Sequence, residues 1–305
     1  MFKKLFLFAL LGVAFSSCSN FNSVKVKKTN FENEVLRAQN LVFTFNKELL
    51  PDTGLINKWD TTQYISFEPK IPGKFMWTGK SELTFSPLGA LLPASDYKAT
   101  LNTDLTKYSP AKYSVDDDPL LFHSPFLAIS SINSFWSLSE DMAKQVEVRC
   151  QLNFNNPVSP SKLKPLLKLL VSGKEMPYRI ITQNDAESIE VAFAYDSQSG
   201  DKETKGEMIV AKGLACTGGN TITKDEIKSE LLIPSKDKLT ITNAESGFDN
   251  GKGFIDVFTS QPIIAEGLAK FISTNPPLNL EAELLTNGFR IKGEFLGSQT
   301  YTLKI

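Results

Sequence analysis

Apolar and polar side chains alternate along this chain in short runs, and Pro, Gly and clusters of small polar residues cut the runs roughly every ten residues. A period of two is the pattern of a strand with one face buried and the other in water. It predicts strands over Asn40–Phe45, Tyr64–Glu68, Phe75–Thr78, Glu82–Ser86 and Tyr97–Leu101. No long stretch of 3.6-residue period competes with that reading. The segment Lys162–Leu170 has room for one or two helical turns, and Pro165 limits it. The 22 Phe and the abundant Ser and Thr suit half-buried strands, so the expected fold class is all-β, built of sandwiches.

The alternation also repeats on a longer scale. Leu41-Val42-Phe43-Thr44-Phe45-Asn46-Lys47-Glu48-Leu49 matches Cys150-Gln151-Leu152-Asn153-Phe154-Asn155-Asn156-Pro157-Val158. A looser match is Ile255-Asp256-Val257-Phe258-Thr259-Ser260-Gln261-Pro262-Ile263. Each is an alternating strand, then a polar pair, then a break before an aliphatic residue. With Glu48, Pro157 and Pro262 taken as equivalent, the spacings are 109 and 105 residues, close to one immunoglobulin-like sandwich. The segment ends agree: Ser81–Pro87 followed by Asp96–Leu101 has a counterpart in Gly288–Phe295 followed by Gln299–Ile305. Three tandem sandwiches are therefore expected, over 31–125, 126–236 and a short third over 237–305 that stops on what should be its closing strand. Turn residues and charge mark the joints, from Asp116-Asp117-Asp118-Pro119 to Ser134 and around Ile233–Asp237.

The first residues follow a different rule. Lys3 and Lys4 precede an apolar run of eleven residues, Leu5–Phe15, which suits the core of an export signal and is too short to span a bilayer. It ends in Phe15-Ser16-Ser17-Cys18, small residues directly before a cysteine. That arrangement predicts a cleaved lipoprotein signal peptide over 1–17 and lipid attachment at Cys18. Residues 18–30 then read as a lipidated tether, polar and basic from Ser19 to Lys28. The lipid makes a membrane the expected partner. Ser19 is not acidic, which by resemblance to bacterial sorting rules points to the outer membrane, facing the periplasm or the cell surface. No second apolar stretch approaches the length of a membrane-spanning helix.

Charge and chemistry narrow the function further. With 33 basic against 34 acidic side chains there is no basic field for nucleic acid. His123 is the only histidine, which excludes metal sites needing two imidazoles and leaves little room for a nucleophile–histidine pair; its flanks place it in a connection, as a structural residue. The common nucleophile, zinc, phosphate and dinucleotide motifs do not occur. No catalytic residue, metal site or cofactor is expected, and the chain does not read as an enzyme. Asp116, Asp117 and Asp118 lack the spacing of a calcium loop and read as a solvated linker. Asp249-Asn250-Gly251-Lys252-Gly253 reads as a hairpin turn, since Asn and Gly accept positive φ. Trp59, Trp77 and Trp136 could form a sugar-stacking platform, although Trp77 lies in a strand pattern and Trp59 just before one, which favours packing. Besides Cys18 there are only Cys150, in a buried strand pattern, and Cys216, in a Gly-rich turn; one bridge or two thiols are both open.

One stretch carries a family resemblance. Ile65-Ser66-Phe67-Glu68-Pro69 through Phe75-Met76-Trp77, with Glu82-Leu83-Thr84-Phe85-Ser86-Pro87 and Leu92-Pro93-Ala94-Ser95-Asp96-Tyr97, resembles a bacterial Ig-like domain. In particular it is similar to the N-terminal region of lipidated bacterial alpha-2-macroglobulins. Phe154-Asn155-Asn156-Pro157-Val158, Ala211-Lys212-Gly213-Leu214 and Asn287-Gly288-Phe289 to Tyr301-Thr302-Leu303 resemble successive macroglobulin-like modules. The resemblance implies protease trapping: a target cuts a bait segment, a ring of sandwiches closes, and in many members a thioester captures the protease. The thioester needs a cysteine followed two residues later by Glu-Gln. Cys150 is followed by Gln-Leu-Asn and Cys216 by Thr-Gly-Gly, so neither can form it. The resemblance thus implies a membrane-anchored N-terminal scaffold of an alpha-2-macroglobulin-like endopeptidase inhibitor, without bait or thioester, that meets proteases together with the remainder of a longer inhibitor. A surface glycan-binding or purely structural Ig-like lipoprotein is the alternative.

Overall fold

A computed structural model describes residues 22–51, 53–139, 146–196, 202–263 and 267–305. The export signal expected over 1–17 and the lipid site Cys18 lie outside the described residues. Two compact units are formed, one from the chain up to Leu91 with Tyr97–Phe122, the other from Leu92–Asp96 with His123–Ile305.

In the first unit the strands are β1 (Ser23–Val24), β2 (Val26–Thr29), β3 (Leu41–Phe45), β4 (Trp59–Asp60), β5 (Ile65–Glu68), β6 (Gly73–Gly79), β7 (Glu82–Pro87), β8 (Asp96–Leu101), β9 (Ser114–Val115) and β10 (Leu120–His123). One sheet has the order β2-β3-β7-β6-β4 and the other β10-β8-β5, while β1 runs parallel to β9. This is the two-sheet arrangement of an immunoglobulin-like sandwich. The expected alternation is what fills it. Leu41, Phe43 and Phe45 of β3 are buried, with Val42 and Thr44 only partly so, and they meet Phe75, Trp77, Leu83 and Phe85 from β6 and β7. Phe85 packs in tilted geometry at 4.8 Å from Phe75 and 4.6 Å from Phe67 between ring centroids. Each such ring contributes about 1.5–3 kcal/mol through burial.

The second unit contains β11 (Ile129–Leu138), β12 (Val146–Val158), a single helical turn α1 (Pro160–Leu163), β13 (Leu167–Val171), β14 (Lys174–Glu175), β15 (Arg179–Ile180), β16 (Ala186–Phe193), β17 (Thr204–Val210) and β18 (Ile227–Ile233). Their sheets are β11-β12-β16-β15 and β14-β13-β17-β18, enclosing a core of Val148, Cys150, Leu152, Phe154, Leu169, Ile189, Val191, Met208 and Leu231. There follow β19 (Ile241–Asp249), β20 (Lys252–Thr259), β21 (Ser273–Asn275), β22 (Glu281–Leu285), β23 (Gly288–Gly293) and β24 (Thr302–Lys304). They pair as β19-β20-β23-β22 and β21-β24 around a separate cluster of Val257, Ile272, Phe289 and Ile291. The three repeated segments take one topological place: β3, β12 and β20 are each the inner strand next to the first strand of their sheet, with an antiparallel partner on both edges. Between β19 and β20 the chain reverses at Asn250 (φ 50°) and Gly251 (φ 79°), the positive-φ pair of a type I′ turn, as Asp249-Asn250-Gly251-Lys252 predicts.

Three expectations are corrected. Residues 18–30 were expected as tether, but β1 and β2 put Ser23–Thr29 into the first sandwich. Val24 of β1 is fully buried, and the two exposed lysines of β2, Lys27 and Lys28, sit on the edge strand of its sheet, where charged side chains are usual. The helical turn falls at Pro160–Leu163, before Lys162–Leu170 is half complete, because Pro160 suits a helix start and Leu167, Leu169 and Val171 already alternate as β13. Trp59, expected to pack, is half exposed, since it sits on the edge strand β4 and points away from the core.

Gly73 is held to glycine by close approach: a Cβ there would overlap the Phe85 ring and the Ser86 carbonyl. Gly73→Ala should destabilise the first sandwich by about 1–3 kcal/mol, the usual cost of overpacking. In urea unfolding of a double-mutant cycle, Gly73→Ala and Phe85→Leu should cost at least about 1 kcal/mol less together than their sum, and additivity would rule the ring overlap out.

Candidate functional site

The residues that could carry chemistry are placed one by one. His123, at the end of β10, stacks on Phe126 with 4.0 Å between ring centroids, and its Nδ1 lies 3.0 Å from the Ser124 carbonyl. The carbonyl can only accept, so Nδ1 carries the proton. Lys224 Nζ lies 5.5 Å from the centre of the Phe126 ring, and Phe126, Leu127, Ile222, Thr223 and Ile227 line a shallow groove beside it. Its contacts among the described residues are thus a ring face and a backbone carbonyl.

Cys150 and Cys216 are both buried thiols of the same core, and neither is in a disulfide. Cys150 lies in the middle of β12, and burial followed by the nearby Glu190 charge pushes its thiol far up from its ordinary value. A protonated, enclosed thiol is a poor nucleophile. Cys216 forms an isolated bridge with Val158, and the loop that carries it is laid against the Pro93–Asp96 segment: Thr221 Oγ1 donates to the Ala94 carbonyl at 2.6 Å, and Asp96 N–H donates to Asn220 Oδ1 at 2.9 Å.

The carboxylates of Asp116, Asp117 and Asp118 lie within 4.8 Å of one another. Asp116 also pairs with Lys25 Nζ at 3.4 Å and its N–H donates to the Val24 carbonyl, so the triplet begins by fastening β1 beside β9. Trp77 and Trp136 are each 2 % exposed. Trp136 Nε1 donates to the Pro234 carbonyl at 2.9 Å. Two of the three tryptophans therefore have no free face for a sugar ring, and only Trp59 does.

The strongest electrostatic feature was not anticipated. On the outer face of the β11-β12-β16-β15 sheet, Glu147 and Arg149 are almost fully buried. Arg179 Nη1 donates to Glu147 Oε2 at 2.6 Å and Nη2 to Oε1 at 3.1 Å, Arg149 Nε reaches Glu147 Oε1 at 3.2 Å, and Arg149 Nη1 reaches Glu190 Oε1 at 2.8 Å. Burial alone would raise the Glu147 carboxyl, but hydrogen bonds from Arg179 and Arg149, and then their charges, outweigh it and hold the group below the usual carboxylate range. The β19-β20-β23-β22 sheet of the same unit has a smaller counterpart: Arg290 of β23 grips Asp256 of β20 through two hydrogen bonds of 2.6 and 2.8 Å, with its guanidinium 4.0 Å from the Phe254 ring centre. In the first unit, Tyr64 donates to Asp60 at 2.6 Å, and burial together with that carboxylate pushes the phenol up to about 12. These groups are paired among themselves and clasp strands together. The sequence signal was the polar alternation Glu147, Arg149, Gln151, Asn153, which marks a face but not its partners.

No family model matches the chain. Over 233 residues, 71 % of its length, it is 22 % identical to an alpha-2-macroglobulin of Pasteurella multocida (strain Pm70), of which it spans 12 %. Among solved structures, the crystal structure of bovine butyrophilin aligns with 70 % of this chain and 98 % of its own, at 9 % identity and a TM-score of 0.31. The chain is thus distantly similar to an alpha-2-macroglobulin, and its all-β, Ig-like fold stands on its own strand order.

The carboxylate network makes stability depend on pH in a definite direction. A carboxyl whose folded value is depressed contributes stability above its unfolded value and loses it as pH falls through the folded one. Glu147→Gln should therefore destabilise the second unit by about 3 kcal/mol at neutral pH, because it leaves Arg149 buried with one carboxylate fewer. In thermal melts the variant should also lose part of the acid lability expected of the parent chain below about pH 4.5. Equal acid sensitivity of the two proteins would show that Glu147 is not linked to folding.

Proposed function

We propose that this chain is the membrane-anchored N-terminal scaffold of an alpha-2-macroglobulin-like endopeptidase inhibitor, carrying neither bait nor thioester and no catalytic group. The observation that carries this reading is the 22 % identity to the Pasteurella multocida protein over 71 % of the chain, together with a four-strand order that recurs in three sheets, the first of which adds β4 at its edge. Tandem sandwiches whose ionic groups are engaged with one another are suited to spacing and framing. The placement of both described cysteines inside one core fits a chain that holds no covalent trap. The domain array proposed follows the repeat: one sandwich to about residue 125, a second to about 236 and a third from 237. The chain would stand at an outer membrane through a lipid on Cys18, and would meet proteases only together with the rest of the longer inhibitor. Two acyl chains suffice for stable anchoring, since each buried CH₂ contributes about 0.8 kcal/mol.

Two measurements test the two halves of this reading. Cells expressing the full chain should incorporate labelled palmitate into it, and Cys18→Ala should lose the label and move the protein out of the membrane fraction; label kept after the change would end the anchor assignment. Incubated with trypsin or elastase, the isolated chain should give no boiling-resistant adduct on a denaturing gel. Such an adduct would mean that the chain traps protease by itself.

A further inference from the structure

Two sheets of the second unit meet in a polar cleft of about 170 Å³. One wall is the β11-β12 pair, where Asn133 lies opposite Gln151 and the next outward position of β12 is Asn153. The other wall is the β19-β20 pair, where Asn243 lies opposite Phe258 and Glu245 follows on the same face. Backbone joins the two walls: Trp136 N–H donates to the Ser260 carbonyl at 2.9 Å. Asn287, in the turn between β22 and β23, completes the lining.

The cleft holds hydrogen-bonding capacity that the fold does not use. Asn287 is only 5 % exposed, yet its side-chain amide has no hydrogen-bond partner among the described residues and is not sealed from solvent. Such an amide offers two donor protons and an acceptor oxygen, and a buried residue that keeps them idle calls for a partner in the space beside it. Asn133 and the half-buried Gln151 bring unpartnered amides to the same space. Glu245 and Asn153 are already steadied, Asn243 Nδ2 donating to Glu245 Oε1 at 2.8 Å and Asn153 Nδ2 to Ser131 Oγ at 3.0 Å.

This lining selects among ligands. No Lys, Arg or His is among the residues that line the cleft, so an anion finds no countercharge, and the single carboxylate of Glu245 is too little for a hard cation. An extended peptide would need a free sheet edge, but β12 and β20 are bonded along both of theirs. A hydroxyl both donates and accepts, as an amide does, so a ring bearing several hydroxyls matches a set of idle amides. Phe258, half-buried, offers an apolar surface suited to the C–H face of such a ring. The volume is roughly the liquid share of five or six water molecules, room for a single sugar ring.

We propose that the cleft is a subsite for one neutral pyranose unit of a glycan. Asn133, Gln151 and Asn287 hydrogen-bond its hydroxyls, Glu245 accepts from a further one, and Phe258 lies against the ring. The assignment rests on the cleft alone and stands or falls independently of the inhibitor reading.

The test titrates the isotopically labelled full chain with glucose, galactose and N-acetylglucosamine up to about 50 mM, with side-chain amide resonances read by NMR. At least one of these sugars should shift the Gln151 and Asn287 amides saturably, with a dissociation constant in about the millimolar range, as a single ring in a small site allows. Gln151→Ala should weaken binding at least about 10-fold and leave the urea midpoint in place, because that side chain has no partner in the fold to lose. Asn287→Ala should weaken it as much; where that variant fails to fold, Asn133→Ala takes its place. Trp59→Ala should bind as the parent chain does. The proposal is overturned if none of the three sugars gives saturable shifts, if the shifts centre on Trp59, or if Gln151→Ala binds unchanged. Saturable shifts at the same amides from a short alanine peptide and from none of the sugars would assign the cleft to peptide and likewise overturn it.

Discussion

Strands β3, β12 and β20 are hydrogen-bonded along both edges while one face of each turns to a core, closely covered for β3 and β12 and more thinly for β20. A shift of one residue in β12 would turn Glu147 and Arg149 into the apolar core and bring Val148, Cys150, Leu152 and Phe154 to the outer face. The penalty for two charges moved from partners into hydrocarbon is several kcal/mol each, so the register has no near competitor. Once it is set, β16 can bond in only one way and the Arg149–Glu190 clasp between β12 and β16 falls into line; Arg290 and Asp256 join β23 to β20 in the same manner. The outer polar face thus reinforces a choice that the inner face has already made.

That logic explains which parts were legible from residues alone. Asn40–Phe45, Glu82–Ser86 and Tyr97–Leu101 are strands within one residue of where their alternation put them, because apolar side chains at every second position, Leu41, Phe43 and Phe45, Leu83 and Phe85, and Tyr97 with Ala99, enter the core. The inner-strand repeat was legible for the same reason. Val26–Thr29 was not, since an edge strand bonded on one side asks little of its side chains and here carries two lysines. The Glu147 network was invisible for another reason: its members lie 32 and 41 residues apart on three strands, and a carboxylate in sequence gives no sign of which arginine it will face. Trp59 shows the converse, a large apolar side chain whose strand happens to be the outermost of its sheet.

The same features bear on function by division of labour. In the proposed inhibitor, selectivity and capture belong to segments beyond these sandwiches, and the sandwiches contribute distance and orientation. For that task a core rich in stacked aromatics and clasped strand pairs is well chosen, because register and pairing resist local sliding under load. Tyr64 and Cys150 hold their protons more tightly through burial and a nearby carboxylate, whereas Glu147 gives its proton up more readily because Arg179 and Arg149 outweigh its burial.

The two thiols inside the second sandwich set a kinetic contest. In the exported setting proposed here, the chain meets an oxidising compartment before it has folded, with Cys150 and Cys216 separated by a flexible stretch and both exposed to oxidants. Their survival as thiols depends on the β12-centred core closing faster than a disulfide can form or exchange with a passing partner. Once closed, the core shields them as effectively as a reductant would. The condition of those two sulfurs is therefore a chemical memory of how promptly each molecule folded.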